Sequence, residues 1–250
     1  MKDYMNLAGF IAGTTMKEPE RAELNNMALH ICENTENIIQ NRKQLAEEIG
    51  CHIGDFVCAM QTHSANFYKV TEDDRGRGAF TIDDAIADTD ALYTYESGIV
   101  LTSFSADCVP VLLYNEKSGV IAAVHSGWQG TVKEVTPKLL QQLIVEEKND
   151  PAAFHVYIGP ALSQEKFEVD KDVYEKFRTL GYADEFIYYN EETKKYHIDN
   201  QKTVKKQCEL AGIPSTQIHI DATCTYMDER TFSYRQDKSC GRHMSFIMKK

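Results

Sequence analysis

Ser105–Thr131 reads SADCVPVLLYNEKSGVIAAVHSGWQGT, and its alternation of apolar runs with turn residues decides the fold. Pro110–Tyr114 and Val120–His125 are too short for globular helices and suit buried strands. NEKSG between them has the chemistry of a hairpin turn. A third run, Gly98–Ser105, precedes them. The stretch also carries chemistry: Asp107 and Cys108 stand before the first of the two runs, and His125 ends the second. Upstream, His63 in MQTHS closes another apolar segment. Two imidazoles and a thiol, each delivered at a strand end, make the ligand set of a metal site with one position left open.

Outward from this stretch, strands and helices mix without a regular βαβ rhythm. NLAGFIAG opens the chain as a first strand, Ala8–Thr14, followed by a polar stretch expected to turn helical over Arg21–Glu33. Glu36–Glu48 is a clearer helix. Thr35 can cap it, Ile38, Ile39, Leu45, Ala46 and Ile49 form its apolar stripe, and Gly50 stops it. Phe56–Met60 and Asn66–Val70 read as strands before an exposed, mobile loop, TEDDRGRGAFTIDD. Beyond the GWQG corner, Thr131–Lys148 is helical with a kink or split at Pro137. Phe154–Ile158 is a strand, Asp170–Leu180 and Asn200–Ala211 are surface helices, and a strand around Phe246–Met248 ends the chain. No repeat or linker divides the sequence. The expectation is one α/β (α+β) domain over residues 1–250, with a large mixed sheet flanked by helices.

Composition narrows the function. The chain has 250 residues, 42% hydrophobic and 26% charged, with a formal net charge of −11, so no basic stripe is available for nucleic acid or anionic lipid. Seven cysteines form no C-x-x-C pair, a pattern that fits a reducing compartment better than a disulfide scaffold. The N-terminal apolar stretch is too short for a signal peptide or membrane span. A cytoplasmic protein is expected.

The three soft donors admit more than one reading. Taken singly, a cysteine at a strand end is more often a small buried hydrophobe, and a lone histidine a satisfied polar side chain. Together, His63, Cys108 and His125 suit a catalytic zinc, with Asp107 placed to orient a ligand or the bound nucleophile. The same residues also suit a cysteine hydrolase, with Cys108 as nucleophile, His125 or His63 as base and Asp107 or another acid as orienter. Copper is a third option, but a multicopper oxidase needs paired H-x-H motifs and none of the eight histidines forms one. Also missing are H-E-x-x-H, the Walker loop, G-x-G-x-x-G, G-x-S-x-G and the zinc nucleobase-deaminase pattern. In DATCTYMDERTFSYRQDKSCGRHMS, Phe232 and Tyr234 alternate as in an edge strand, with Arg235 and Arg242 nearby. That segment is either an amphipathic edge or an aromatic and guanidinium wall for a ligand. Trp128, the single tryptophan, reads as a core anchor or a stacking face.

These motifs resemble a bacterial family long described as laccase-domain or multicopper polyphenol oxidoreductase proteins and now regarded as purine nucleoside phosphorylases. GFIAGTT, NNMALH, ENIIQNRKQLAEEIG, QTH, TDALYT, ADCVPVLL, AAVHSGWQGT, IGPALSQEKFEV and the closing CT, TFSYR and GR carry the resemblance. It implies Zn2+ at His63, Cys108 and His125, with Cu2+ as the alternative of the older description. It implies phosphorolysis of adenosine, inosine and methylthioadenosine, with adenosine deamination alongside. It also implies a fold related to that of deamidating toxins. Expected partners are purine nucleosides and phosphate, and the expected state is a monomer or homodimer. Gln61, Asp107, Tyr234 and Arg235 are the expected substrate contacts. One departure stands out: Gln129 occupies the place where the family usually has arginine after Gly-Trp, so a role of that arginine in binding phosphate or holding the loop would be lost here, with phosphorolytic efficiency or substrate choice affected.

Overall fold

The computed structural model describes residues 1–7 and 9–250; Ala8, where the apolar run read as the first strand begins, lies outside them. In chain order the strands begin with β1 (Lys2–Leu7), β2 (Phe10–Thr14), β3 (Phe56–Val57), β4 (Phe67–Lys69) and β5 (Ala91–Thr94). They continue with β6 (Val100–Ser105), β7 (Val109–Asn115), β8 (Ile121–Ser126), β9 (Phe154–Ile158) and β10 (Glu168–Val169). Last come β11 (Ile187–Asn190), β12 (Lys195–Ile198), β13 (Ile218–Ile220) and β14 (His243–Lys249). The helices are α1 (Thr35–Ile49), α2 (Trp128–Val132), α3 (Val135–Gln141), α4 (Lys171–Arg178) and α5 (Asn200–Leu210).

Instead of one large sheet there are three. A five-stranded sheet runs β1-β2-β14-β6-β3, a six-stranded sheet runs β13-β9-β7-β8-β5-β4, and a small one runs β10-β12-β11. The two larger sheets are mixed: β3 joins β6, β4 joins β5 and β13 joins β9 in parallel, while the other neighbours are antiparallel. They pack against each other through Leu112, Ile121 and Ala123 on one side and Ala12, Leu101 and Ile247 on the other. The outer face of the six-stranded sheet is covered by α3 and α5 through Val135, Leu139, Leu140, Val204 and Cys208. The outer face of the five-stranded sheet is covered by α1 through Leu45, Ala46 and Ile49. The result is helix, sheet, sheet, helix. This explains the uniformly apolar runs, because β6, β7 and β8 are buried along their whole length.

Local chemistry sets the element ends, in places differently from expectation. Asn34, rather than Thr35, caps α1 by accepting from the Glu36 N–H, and Gly50 ends it at φ 77°, the left-handed conformation glycine adopts without penalty. Arg21–Glu33 is not a helix: Glu23, Leu24 and Asn25 have positive φ and only one short turn forms. The Thr131–Lys148 helix divides at Glu134, which has φ 61°, and not at Pro137. Pro137 lies in the first turn of α3, where a missing N–H costs nothing. The charged loop after Val70 is pinned rather than wholly exposed. Asp74 is buried and receives Thr71 N–H and Arg77, while Arg75 bridges Asp55. Helix α5 is no surface helix, since Asn200, Thr203, Val204, Gln207 and Cys208 are buried. The segment 221–242 forms turns instead of the expected edge strand. Among the described residues no helix is long and apolar enough to cross a membrane.

Candidate metal centre

The β7–β8 hairpin brings two of the three donors together. Its register pairs Val109 with Ser126 and Pro110 with His125, so Cys108, at the entry to β7, meets His125 at the exit of β8. His63 arrives from the loop before β4, held in the left-handed region at φ 58°. The ligand atoms of His63, Cys108 and His125 all lie within 4.8 Å of one another, and Cys108 Sγ is 3.8 Å from His63 Nε2. Donors bound to one zinc at ordinary bond lengths stand about 3.3–3.8 Å apart, so small side-chain rotations close the set. The donor chemistry fits a zinc-like divalent ion.

Asp90 arranges this cluster. Its Oδ1 accepts from His125 Nδ1 at 2.8 Å and from the His63 N–H at 3.1 Å. Its Oδ2 accepts from Ser64 N–H and Ser64 Oγ, both at 2.7 Å, and from Thr62 N–H at 3.2 Å. Because a carboxylate only accepts, His125 Nδ1 carries the proton and Nε2 is left for the ion, the usual carboxylate–histidine–metal relay. Burial works against a charged Asp90, but the hydrogen bond and charge of His125, then Ser64, hold it down at about 2. Burial likewise opposes a Cys108 thiolate, yet His125 first and His63 next lower it to about 6. His125 is raised to about 9 against the cost of burial, by the Cys108 charge and by Asp90. These opposed shifts describe a thiolate facing an imidazolium fixed by a carboxylate, a pair in which a cation can take the place of the His125 Nε2 proton.

The other expected residues take distinct places. Gln61 spends both ends of its amide on the backbone of Phe104, donating to the carbonyl at 2.8 Å and accepting from the N–H at 2.7 Å. Asp107, at φ 89°, does not orient a ligand imidazole. Its carboxylate accepts from Thr225 Oγ1 and from Arg235 N–H, each at 2.6 Å, and so ties down the C-terminal loop. The Arg235 guanidinium donates to the Glu168 carbonyl. Tyr234 is exposed beside the donors, under the Arg242 guanidinium at 5.6 Å. Trp128 is half-buried, packed against the α4 and small-sheet cluster, with Lys176 over its ring. Gln129 is half-buried in α2 and lines neither cavity around the centre.

Two cavities, of about 530 and 490 Å³, open beside the donors and share His63, Ala106, Cys108 and Tyr234 as common lining. Gln61, His125 and Arg242 face the first, and Asp107, Trp128 and Arg235 the second. Sequence reasoning missed Asp90. The one signal for it was an acid in TDALYT at the mouth of a short apolar run, which nothing local connects to a histidine 35 residues away.

The half-buried His63 and Cys108 and the buried His125, with a carboxylate behind them on a mixed α/β fold, form a donor set that could hold a metal ion. The chain belongs to the family described as multi-copper polyphenol oxidoreductase laccase, whose model matches residues 13–250. A protein of Geobacillus stearothermophilus named purine nucleoside phosphorylase YlmD is 32% identical over 247 residues, covering 96% of this chain and 90% of that one. Staphylococcus aureus purine nucleoside phosphorylase SA1030 is 37% identical over 225 residues, covering 89% and 83%. The crystal structure of Bacillus licheniformis hypothetical protein YfiH superposes with a TM-score of 0.92 at 34% identity, covering 96% and 93%.

Proposed function

We propose that this chain is a cytoplasmic purine nucleoside phosphorylase that cleaves adenosine, inosine and methylthioadenosine at the His63–Cys108–His125 centre. The observation that carries the reading is the convergence of those three donors, the two histidines held by Asp90, beside two cavities, in a family whose curated relatives bear the phosphorylase name. A zinc ion held by His63, Cys108 and His125 would supply a Lewis-acidic positive centre; copper is the alternative ion. The chain's own residues do the rest. Asp90 fixes the imidazoles, Asp107 anchors the loop bearing Tyr234 and Arg235, and Gln61 braces the backbone of Phe104 beside the donors.

In phosphorolysis a phosphate oxygen forms a bond to the anomeric carbon as the bond to the purine nitrogen breaks. The electron pair of that bond leaves with the purine, which takes up a proton. The products are free base and ribose 1-phosphate, or its methylthio analogue. Adenosine deamination belongs to the same site, with water giving oxygen to the ring carbon and ammonia leaving. Tyr234 and Arg235 are the substrate contacts of this reading. Incubating the purified protein with a nucleoside panel, with and without phosphate, and identifying the products tests it. Phosphate-dependent release of base supports the reading, and release that ignores phosphate overturns it.

A second reading rests on the Cys108, His125 and Asp90 order, which is also that of a cysteine nucleophile, its base and the base's orienter. It predicts a hydrolase whose turnover survives chelation.

A further inference from the structure

The two cavities that meet at the metal centre differ in charge. Among the residues lining the first there is no aspartate or glutamate, although the chain carries 38 acidic against 27 basic residues. Arg42 and Arg242 face it instead. Arg42 is 1% exposed and donates only to main-chain carbonyls, those of Met27, Gly78 and Ala79. Arg242 directs one terminal nitrogen to the carbonyls of Cys240 and Gly241. Among the described residues neither guanidinium has a carboxylate partner within ion-pair distance. A cation met by carbonyl dipoles and no carboxylate keeps its net positive charge.

One short segment positions both arginines. The Met27 carbonyl receives Arg42 Nε and Nη2, the Met27 N–H donates to the Arg242 carbonyl at 3.1 Å, and Asn26 Oδ1 accepts the Arg242 N–H at 2.9 Å. Gly241 packs so closely on Asn26 that a Cβ there would sit 2.7 Å from its side chain. The pair of cations is therefore built into the fold.

The second cavity is the reverse. Asp107, Glu168, Asp170 and Asp172 line it, with Arg235 as its one basic residue, and that guanidinium is engaged by the Glu168 carbonyl. Asn200 also lines it and is 5% exposed. Its Nδ2 donates to the Ser126 carbonyl, while its Oδ1 has no partner. A buried acceptor without a donor is costly unless a ligand supplies one. Trp128 and Phe167 add apolar surface to the same cavity. Acceptors beside an aromatic wall suit a molecule rich in hydroxyl and N–H donors with a flat ring, as a nucleoside is.

We propose that the metal centre divides two subsites of opposite polarity: inorganic phosphate enters the acid-free cavity under Arg42 and Arg242, and the nucleoside lies in the acceptor-rich cavity beside Trp128, with Asn200 Oδ1 taking one of its donors. This rests on the phosphorolytic reading and deepens it. Displacement at the anomeric carbon needs the incoming oxygen and the departing purine on opposite faces, and cavities on either side of shared residues supply that approach. In a chain of net charge −11, a local cationic chamber also overcomes the repulsion phosphate meets elsewhere on the surface.

The test varies phosphate and nucleoside independently in the metal-loaded protein. Arg242→Gln is expected to raise KM for phosphate by about tenfold or more, and Asn200→Leu to raise KM for the nucleoside by about fivefold or more, each leaving the other KM within about twofold. Arg242→Lys, which keeps the charge, is expected to recover part of the phosphate affinity. Binding is read separately, by titration calorimetry with inorganic phosphate and by the emission of Trp128, the only tryptophan. Adenosine without phosphate should quench that emission and phosphate alone should not. The proposal is overturned if Arg242→Gln moves the nucleoside KM alone, or if phosphate quenches Trp128 as adenosine does. A wild-type protein without phosphate-dependent turnover defeats the phosphorolytic reading instead. In that event phosphate binding that is lost in Arg242→Gln and silent at Trp128 still supports the division of the cavities, and absence of phosphate binding overturns it.

Discussion

Asp90 Oδ1 accepts hydrogen bonds from both histidine donors of the centre, from the His125 ring at 2.8 Å and from the His63 main chain at 3.1 Å. One carboxylate therefore sets the tautomer of one ligand and the backbone position of the other. Replacing Asp90 with Asn removes the negative charge and leaves one acceptor oxygen for five donors. Zinc affinity is expected to fall by about 10–100-fold, measured by competition with a chromophoric chelator. Unchanged affinity in the Asp90→Asn protein would remove Asp90 from its positioning role.

Gly127 is needed for space and not for its backbone freedom. Its φ of −60° is ordinary, but a Cβ there would lie 2.8 Å from His63 Cδ2 and 2.9 Å from Cys108 Sγ. Gly127→Ala should displace the donors and lower kcat/KM by about a hundredfold while the circular dichroism spectrum stays native. Full activity in this variant would mean that the donors do not need the spacing described.

Cys108→Ala is expected to abolish phosphorolysis and deamination together, because both are assigned to one centre. Removing the ion with a chelator should do the same to the unmodified protein and lower its Tm by several degrees, since ion binding stabilises only the folded chain. Zinc should restore both. Either activity surviving in Cys108→Ala would separate the two reactions.

His243 gives the fold a defined acid sensitivity. It is buried, with Nδ1 donating to the Thr15 carbonyl at 2.7 Å and Nε2 accepting the Phe232 N–H at 2.7 Å. Burial pushes its pKa down to about 4 from an ordinary 6.5. As pH falls from the unfolded value to the folded one, the unfolded chain binds a proton that the folded chain refuses. The contribution is complete above about pH 6.5 and is lost by about pH 4, worth up to about 3 kcal/mol. Urea unfolding across that window should show a shallower acid decline in His243→Gln than in the parent. Parallel curves would show that His243 is not the sensor.

The sequence carried the meeting of His63, Cys108 and His125 further than the fold around it. The β7–β8 hairpin and the order of Cys108 and His125 were legible, because buried strands leave uniform apolar runs and NEKSG has turn chemistry. Helix α1 was legible from its stripe and Gly50. The break at Glu134 was not, because a left-handed φ at a glutamate leaves no local signature, whereas Pro137 offered a false one. The small β10-β12-β11 sheet was missed since its strands are short and partly exposed. Helix α5 looked superficial because its buried face is largely polar: Asn200, Thr203 and Gln207 meet main-chain groups rather than apolar side chains. Polar packing of that kind has no periodic hydrophobic trace.

His63 and His125 hang from a single carboxylate, whereas Cys108 comes in on its own chain reversal at Asp107. The two nitrogens thus share one anchor, while the residue before the sulfur is anchored separately, by Thr225 and Arg235. A substitution at position 107 is therefore expected to disturb the sulfur before it disturbs either nitrogen.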